Sequence, residues 1–111
     1  MKTASLKAKG RSLQQTVRDK ILESFPRLEP DDVKSTSMGA SGEDIQLSPQ
    51  ARRWFPYSVE AKSRATIAVY KWYDQAVTNT KPGTEPLLVI KANRRKPLVL
   101  IDLDKFMEIT K

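Results

Sequence analysis

Residues 57–62 read Tyr57-Ser58-Val59-Glu60-Ala61-Lys62. In an extended chain Tyr57, Val59 and Ala61 fall on one face and Ser58, Glu60 and Lys62 on the other, the pattern of a strand with one buried face. Downstream, Ile67, Ala68, Tyr70, Lys71, Tyr73, Asp74 and Gln75 belong to a helix over about 66–78, closed by the turn Lys81-Pro82-Gly83. Tyr70 and Tyr73 read as packing residues of that helix. Two nearly continuous apolar runs follow, Leu87–Ala92 and Leu98–Leu103. Flanking Asn93–Lys96, they read as interior strands joined in a hairpin. A strand, a helical crossover and another strand imply parallel neighbours with a right-handed connection.

Upstream, Ser12 reads as an N-cap, and Leu13, Val17, Ile21 and Phe25 recur at i+4 to give one apolar stripe on a helix over about 12–25 that Pro26 ends. Glu29-Pro30-Asp31-Asp32 is a turn before a short strand at Val33–Thr36, and residues 37–42 form a loop before a second strand at Asp44–Leu47. Ser48-Pro49 has the form of a cap with proline at the first helical position, so Pro49–Trp54 is one short helix. A last helix covers about 104–109, with Asp102 and Asp104 placed as capping acids. The order predicts an α/β fold with one mixed sheet, an antiparallel meander and then a parallel connection, with helices on both faces.

With 111 residues, 39% of them apolar, the chain suits a single domain over 1–111. The longest apolar runs, Leu87–Ile90 and Leu98–Ile101, are too short for a membrane span or a secretory core, which predicts a cytoplasmic protein with no membrane partner. The net charge of +7 comes from two places. Lys2, Lys7, Lys9 and Arg11 form a basic N-terminal arm over 1–11, and Lys91, Arg94, Arg95 and Lys96 occupy the predicted hairpin turn; the remainder is close to neutral. Such clusters fit a phosphate backbone, and also an acidic membrane surface or protein patch.

The chain has no Cys and no His, which excludes thiolate nucleophiles, Ser-His triads and the usual zinc sites. Chemistry here would rest on carboxylates and lysines. Phosphodiester hydrolysis on such terms needs hard oxygen ligands for Mg²⁺ and a cation to hold the attacking water and balance the developing charge. Gly42-Glu43-Asp44-Ile45, opening the second strand, and Val59-Glu60-Ala61-Lys62, closing the third, supply two carboxylates and a lysine. If these strands are neighbours, one metal can bridge Asp44 and Glu60 with Lys62 beside it. Glu60 and Lys62 also fit a plain surface ion pair, and Pro30-Asp31-Asp32 offers a rival acidic motif that a turn explains better.

The chain resembles the PD-(D/E)XK nucleases, and among them the small bacteriophage and prophage nucleases described as Holliday-junction-resolvase-like. The resemblance runs from Lys9-Gly10-Arg11 and Leu13-Gln14, through Ser37-Met38-Gly39, Gly42-Glu43-Asp44-Ile45, Leu47-Ser48-Pro49 and Ala51-Arg52, to Phe55-Pro56-Tyr57-Ser58-Val59-Glu60-Ala61-Lys62. It continues in Gln75-Ala76 and Asn93-Arg94-Arg95-Lys96-Pro97. It implies a restriction-endonuclease-like αβββαβ core with a mixed central sheet flanked by helices. Asp44, Glu60 and the main-chain carbonyl of Ala61 would hold Mg²⁺ or Mn²⁺, Lys62 would orient or activate water, and Gln75 would sit at the edge of the site. Archaeal-type junction resolvases carry a glutamate on the first helix where this chain has Gln14 and Gln15, and a neutral amide orients water or phosphate but ligates metal less well.

The activity so implied is a metal-dependent DNA endonuclease of recombination or DNA processing, acting on branched or four-way junction DNA and leaving a 5′-phosphate and a 3′-hydroxyl. Cutting two strands symmetrically needs two sites, hence a homodimer. A nickase, flap nuclease or exonuclease fits the same residues, as does a DNA-binding module of this fold that does not cut. Lys7, Lys9, Arg11, Ser37, Arg52, Arg53, Arg94, Arg95 and Lys96 are the candidate DNA contacts.

Overall fold

The computed structural model describes residues 3–36 and 42–111, so the predicted loop contact Ser37 lies outside the described residues. Helix α1 spans Thr3–Ser24. The strong helix formers Ala4, Leu6, Lys7, Ala8 and Lys9 carry it well beyond the expected start. Ser12 is therefore no cap but an interior residue, whose carbonyl accepts from Thr16 Oγ1 at 3.1 Å. Described residues of the basic arm are thus part of this helix. The stripe behaves as its spacing predicts: Leu13 and Ile21 are buried, and Val17 and Phe25 pack against the same core.

After a 3-10 turn at Pro30–Asp32, β1 (Val33–Ser35) and β2 (Ile45–Leu47) pair antiparallel, with Ser35 opposite Ile45. Asp32 holds this region together. Its Oδ2 accepts from Glu29 N at 2.8 Å and its Oδ1 from the Ser48 hydroxyl at 2.6 Å. Ser48 Oγ in turn accepts from Ala51 N, capping α2 (Pro49–Trp54). These bonds, the Ser48 one foremost, hold the Asp32 carboxyl below its usual pKa, and they account for the acid at the rival motif.

β3 (Tyr57–Ser63), α3 (Val69–Thr78) and β4 (Glu85–Lys91) form the expected parallel unit, in register from Tyr57 opposite Glu85 to Ser63 opposite Lys91. β5 (Leu98–Leu100) returns antiparallel to β4, and Asp102, accepting from Lys105 N at 3.0 Å, caps α4 (Leu103–Ile109).

Instead of one mixed sheet, the described residues form two, β1-β2 and β3-β4-β5. The Ser48-Pro49 cap turns the chain into α2 directly after Leu47. This leaves β2 only three residues, paired along one edge with β1, and the backbone bond to β3 comes from Asp44 just before it.

Three further expectations are corrected. β3 is buried on both faces rather than one. The Val59 and Ala61 face packs on Leu13 and Ile21 of α1, and α3 covers the opposite face. Tyr70 is 83% exposed and does not pack. The buried face of α3 is set by Trp72 and Ala76, four apart, and Tyr70 projects away from it. β5 is a short edge strand rather than an interior one, with Leu98 61% exposed. An apolar run has the same appearance whether or not a layer covers it.

Leu88, fully buried on the central strand β4, should be costly to truncate. Leu88→Ala is expected to lose about 2–5 kcal/mol in urea unfolding, against about 0.5 kcal/mol or less for Val99→Ala on exposed β5.

Candidate active site

β3 uses one edge for β4 and presents the other to the segment that enters β2. Asp44 N donates to the Val59 carbonyl at 2.8 Å, and Ala61 N donates to Asp44 Oδ2 at 2.8 Å. The carbonyl of Asp44 accepts from Thr36 N at 2.8 Å, so its backbone is held from both sides. Gly42, at φ 93°, turns the chain into this segment with a backbone conformation that side chains resist. Because N–H and C=O of one strand residue project to the same edge, the Ala61 carbonyl also faces the Asp44 side.

Glu60 and Lys62 share the face of β3 under α3. Glu60 is 4% exposed. Its Oε1 accepts from Asn79 Nδ2 at 3.1 Å, and its Oε2 lies 3.6 Å from Lys62 Nζ. Burial first, and then the charge and proximity of Glu60, raise the Asp44 pKa to about 6 against the opposing pull of Ala61 N–H and Lys62. Asp44, Glu60, Ala61 and Lys62 are thus brought together.

The other candidates divide. Gln14 is buried and its Oε1 accepts from Ser35 Oγ at 2.6 Å, which ties α1 to the strand pair whose end carries Asp44. Gln75 is exposed. The side chain from this helix that reaches Glu60 belongs to Asn79, one turn later at the C-cap. Arg52 forms an ion pair with buried Glu43, which Lys81 Nζ also approaches at 3.5 Å. Arg53, Lys7, Arg11, Arg94, Arg95 and Lys96 are exposed, and Lys9 Nζ donates to Asn93 Oδ1 at 2.7 Å. Sequence reasoning missed Asn79, Glu43 and Lys81. For Asn79 the signal was its i+4 spacing from Gln75; for Glu43 and Lys81 no local pattern exists.

Two carboxylates meeting at a strand edge, one of them with a raised pKa, suit a hard divalent cation that would relieve their repulsion. Among the described residues no group of three or more Asp or Glu side chains occurs; the groups that could hold such an ion are Asp44, Glu60 and the Ala61 carbonyl. Comparison of the chain with protein-family models, curated proteins and solved structures returns no match.

The raised pKa of Asp44 has a signed consequence. Above about pH 6 the carboxylate is ionised in both states and its burial disfavours the native one. As pH falls from about 6 towards about 4 the native state takes up the proton first and the penalty disappears. Without divalent ions, Asp44→Asn should therefore be more stable than the unmodified protein near pH 7, with the gap closing by about pH 4.5 in parallel thermal melts.

Proposed function

We propose that this chain is a metal-dependent DNA endonuclease of the PD-(D/E)XK kind, with branched or four-way junction DNA as the favoured substrate. The observation that carries the reading is the bond from Ala61 N–H to Asp44 Oδ2 beside the Glu60–Lys62 pair. It couples the two sequence motifs, Gly42-Glu43-Asp44 and Glu60-Ala61-Lys62, into one constellation. The exposed cations of α1 and of the β4–β5 turn add a surface suited to phosphates.

In this reading Asp44, Glu60 and the Ala61 carbonyl hold Mg²⁺ or Mn²⁺. The ion, when bound, supplies charge stabilisation at the phosphate and lowers the pKa of water. Lys62, only partly exposed and fixed by Glu60, orients the attacking water and offsets the charge that develops on the phosphoryl oxygens. Asn79 holds Glu60 Oε1 and so keeps the other oxygen turned towards Lys62. Gln14 keeps β1 against α1 and supports Asp44 through Thr36. Two symmetric cuts in a junction need two such sites, so the reading includes a homodimer.

Four-way junction, flapped and linear DNA incubated with Mg²⁺ or Mn²⁺ test it. Lys62→Ala and Asp44→Ala should each cut at least about 100-fold more slowly. Asp44→Ala should also lose Mn²⁺ binding by calorimetry, which Lys62→Ala retains. The reading fails if the unmodified protein cuts none of the three substrates with either ion.

A further inference from the structure

The two basic clusters of the sequence meet in one place. Lys9 of α1 reaches Asn93 of the β4–β5 turn across 84 positions of chain. With Ser63, Lys91 and Arg94 these residues line an open cleft of about 490 Å³. Ser63 ends β3, Lys91 ends β4, and the two are register partners. The cleft therefore lies at the carboxyl ends of parallel strands, the side on which open α/β sheets take their ligands.

Its three cations face no acid. Lys9 Nζ meets an amide oxygen and Lys91 Nζ lies 3.4 Å from the Ala92 carbonyl. Among the described residues no carboxylate pairs with Lys9, Lys91 or Arg94. Arg94 is exposed and sits at φ 61°, in the left-handed region that glycine or asparagine occupies with less strain. The turn alone gains nothing from an arginine there, whereas an anion in the cleft does.

We propose that this cleft binds the phosphodiester backbone of nucleic acid and holds a phosphate flanking the one presented to Lys62. The first half stands on the cleft alone; the second rests on the nuclease reading. Lys and Arg donors with no competing acid suit phosphate oxygens. Ser63 follows Lys62 at the carboxyl end of β3, with its side chain on the opposite face, so a backbone anchored between Lys9, Lys91 and Arg94 reaches the Lys62 side by crossing that strand end.

Anisotropy of a fluorescein-labelled four-way junction and of a short duplex, in EDTA over a range of salt, provides the test. The double variant Lys91→Ala, Arg94→Gly should weaken binding about tenfold or more and reduce the salt slope by about two. Arg94→Gly alone should lower affinity while keeping or raising Tm, because glycine suits the left-handed backbone; a purely structural arginine would not separate the two. Lys71→Ala, an exposed cation on α3, controls for net charge and should change affinity less than about twofold.

Binding by the double variant equal to that of Lys71→Ala overturns the proposal. So does a cleft-dependent response to inorganic phosphate without any binding of either DNA. If binding depends on the cleft but Mg²⁺ brings no cleavage, the nuclease reading fails and the phosphate site stands. If the protein cuts and the double variant cuts with unchanged KM, the nuclease reading stands and the phosphate site fails.

Discussion

β3 pairs through one edge with β4, and among the described residues Asp44 holds the other, accepting from Ala61 and donating to Val59. That two-bond junction links the small β1-β2 sheet to the three-stranded one. It satisfies backbone groups that would otherwise lie unpaired beside a buried strand, where an orphaned donor costs about 1–3 kcal/mol. It also draws an ionisable carboxylate into partial burial next to Glu60. Closing the edge therefore has a cost at one residue: the bond brings with it the burial, and after it the Glu60 charge, that raise the Asp44 pKa.

The parallel β3-α3-β4 unit was legible because its signals are local. Alternation at Tyr57–Lys62, a helical stretch and then an apolar run leave few arrangements. Capping was legible for the same reason at Ser48 and Asp102. What the sequence hid depends on neighbours. An apolar run looks alike at a sheet centre and a sheet edge, so the run at β5 by itself predicts an interior strand. An alternating strand looks one-sided until its covering helices are placed, so the pattern by itself predicts one buried face for β3. The start of α1 was missed because a capping residue such as Ser12 is also tolerated inside a helix whose flanks are rich in Ala, Leu and Lys.

At the site, the residues carried by motif spacing, Asp44, Glu60 and Lys62, are brought together. The residues that support them were not readable in the same way. Asn79 works from a helix C-cap nineteen positions after Glu60, and Glu43 takes up Arg52 and Lys81 from two other elements. Arg52 illustrates the general difficulty with charge counting. A cation beside another arginine reads as part of a binding face, yet its guanidinium is paired with a buried carboxylate.

The contact between Asn79 and Glu60 also limits how this chain can change length. Each residue added to a helix rotates everything beyond it by 100° and advances it by 1.5 Å. Trp72 and Ala76 fix the rotation of α3 against the sheet, so an insertion or deletion between Trp72 and Asn79 would swing the amide away from Glu60 even if the helix itself re-formed. Beyond Arg64, whose N–H bonds the Lys91 carbonyl, residues 65–68 make no side-chain hydrogen bond to the site among the described residues. A change of length is therefore expected to disturb the Glu60 contact less at residues 65–68 than within the second half of the helix.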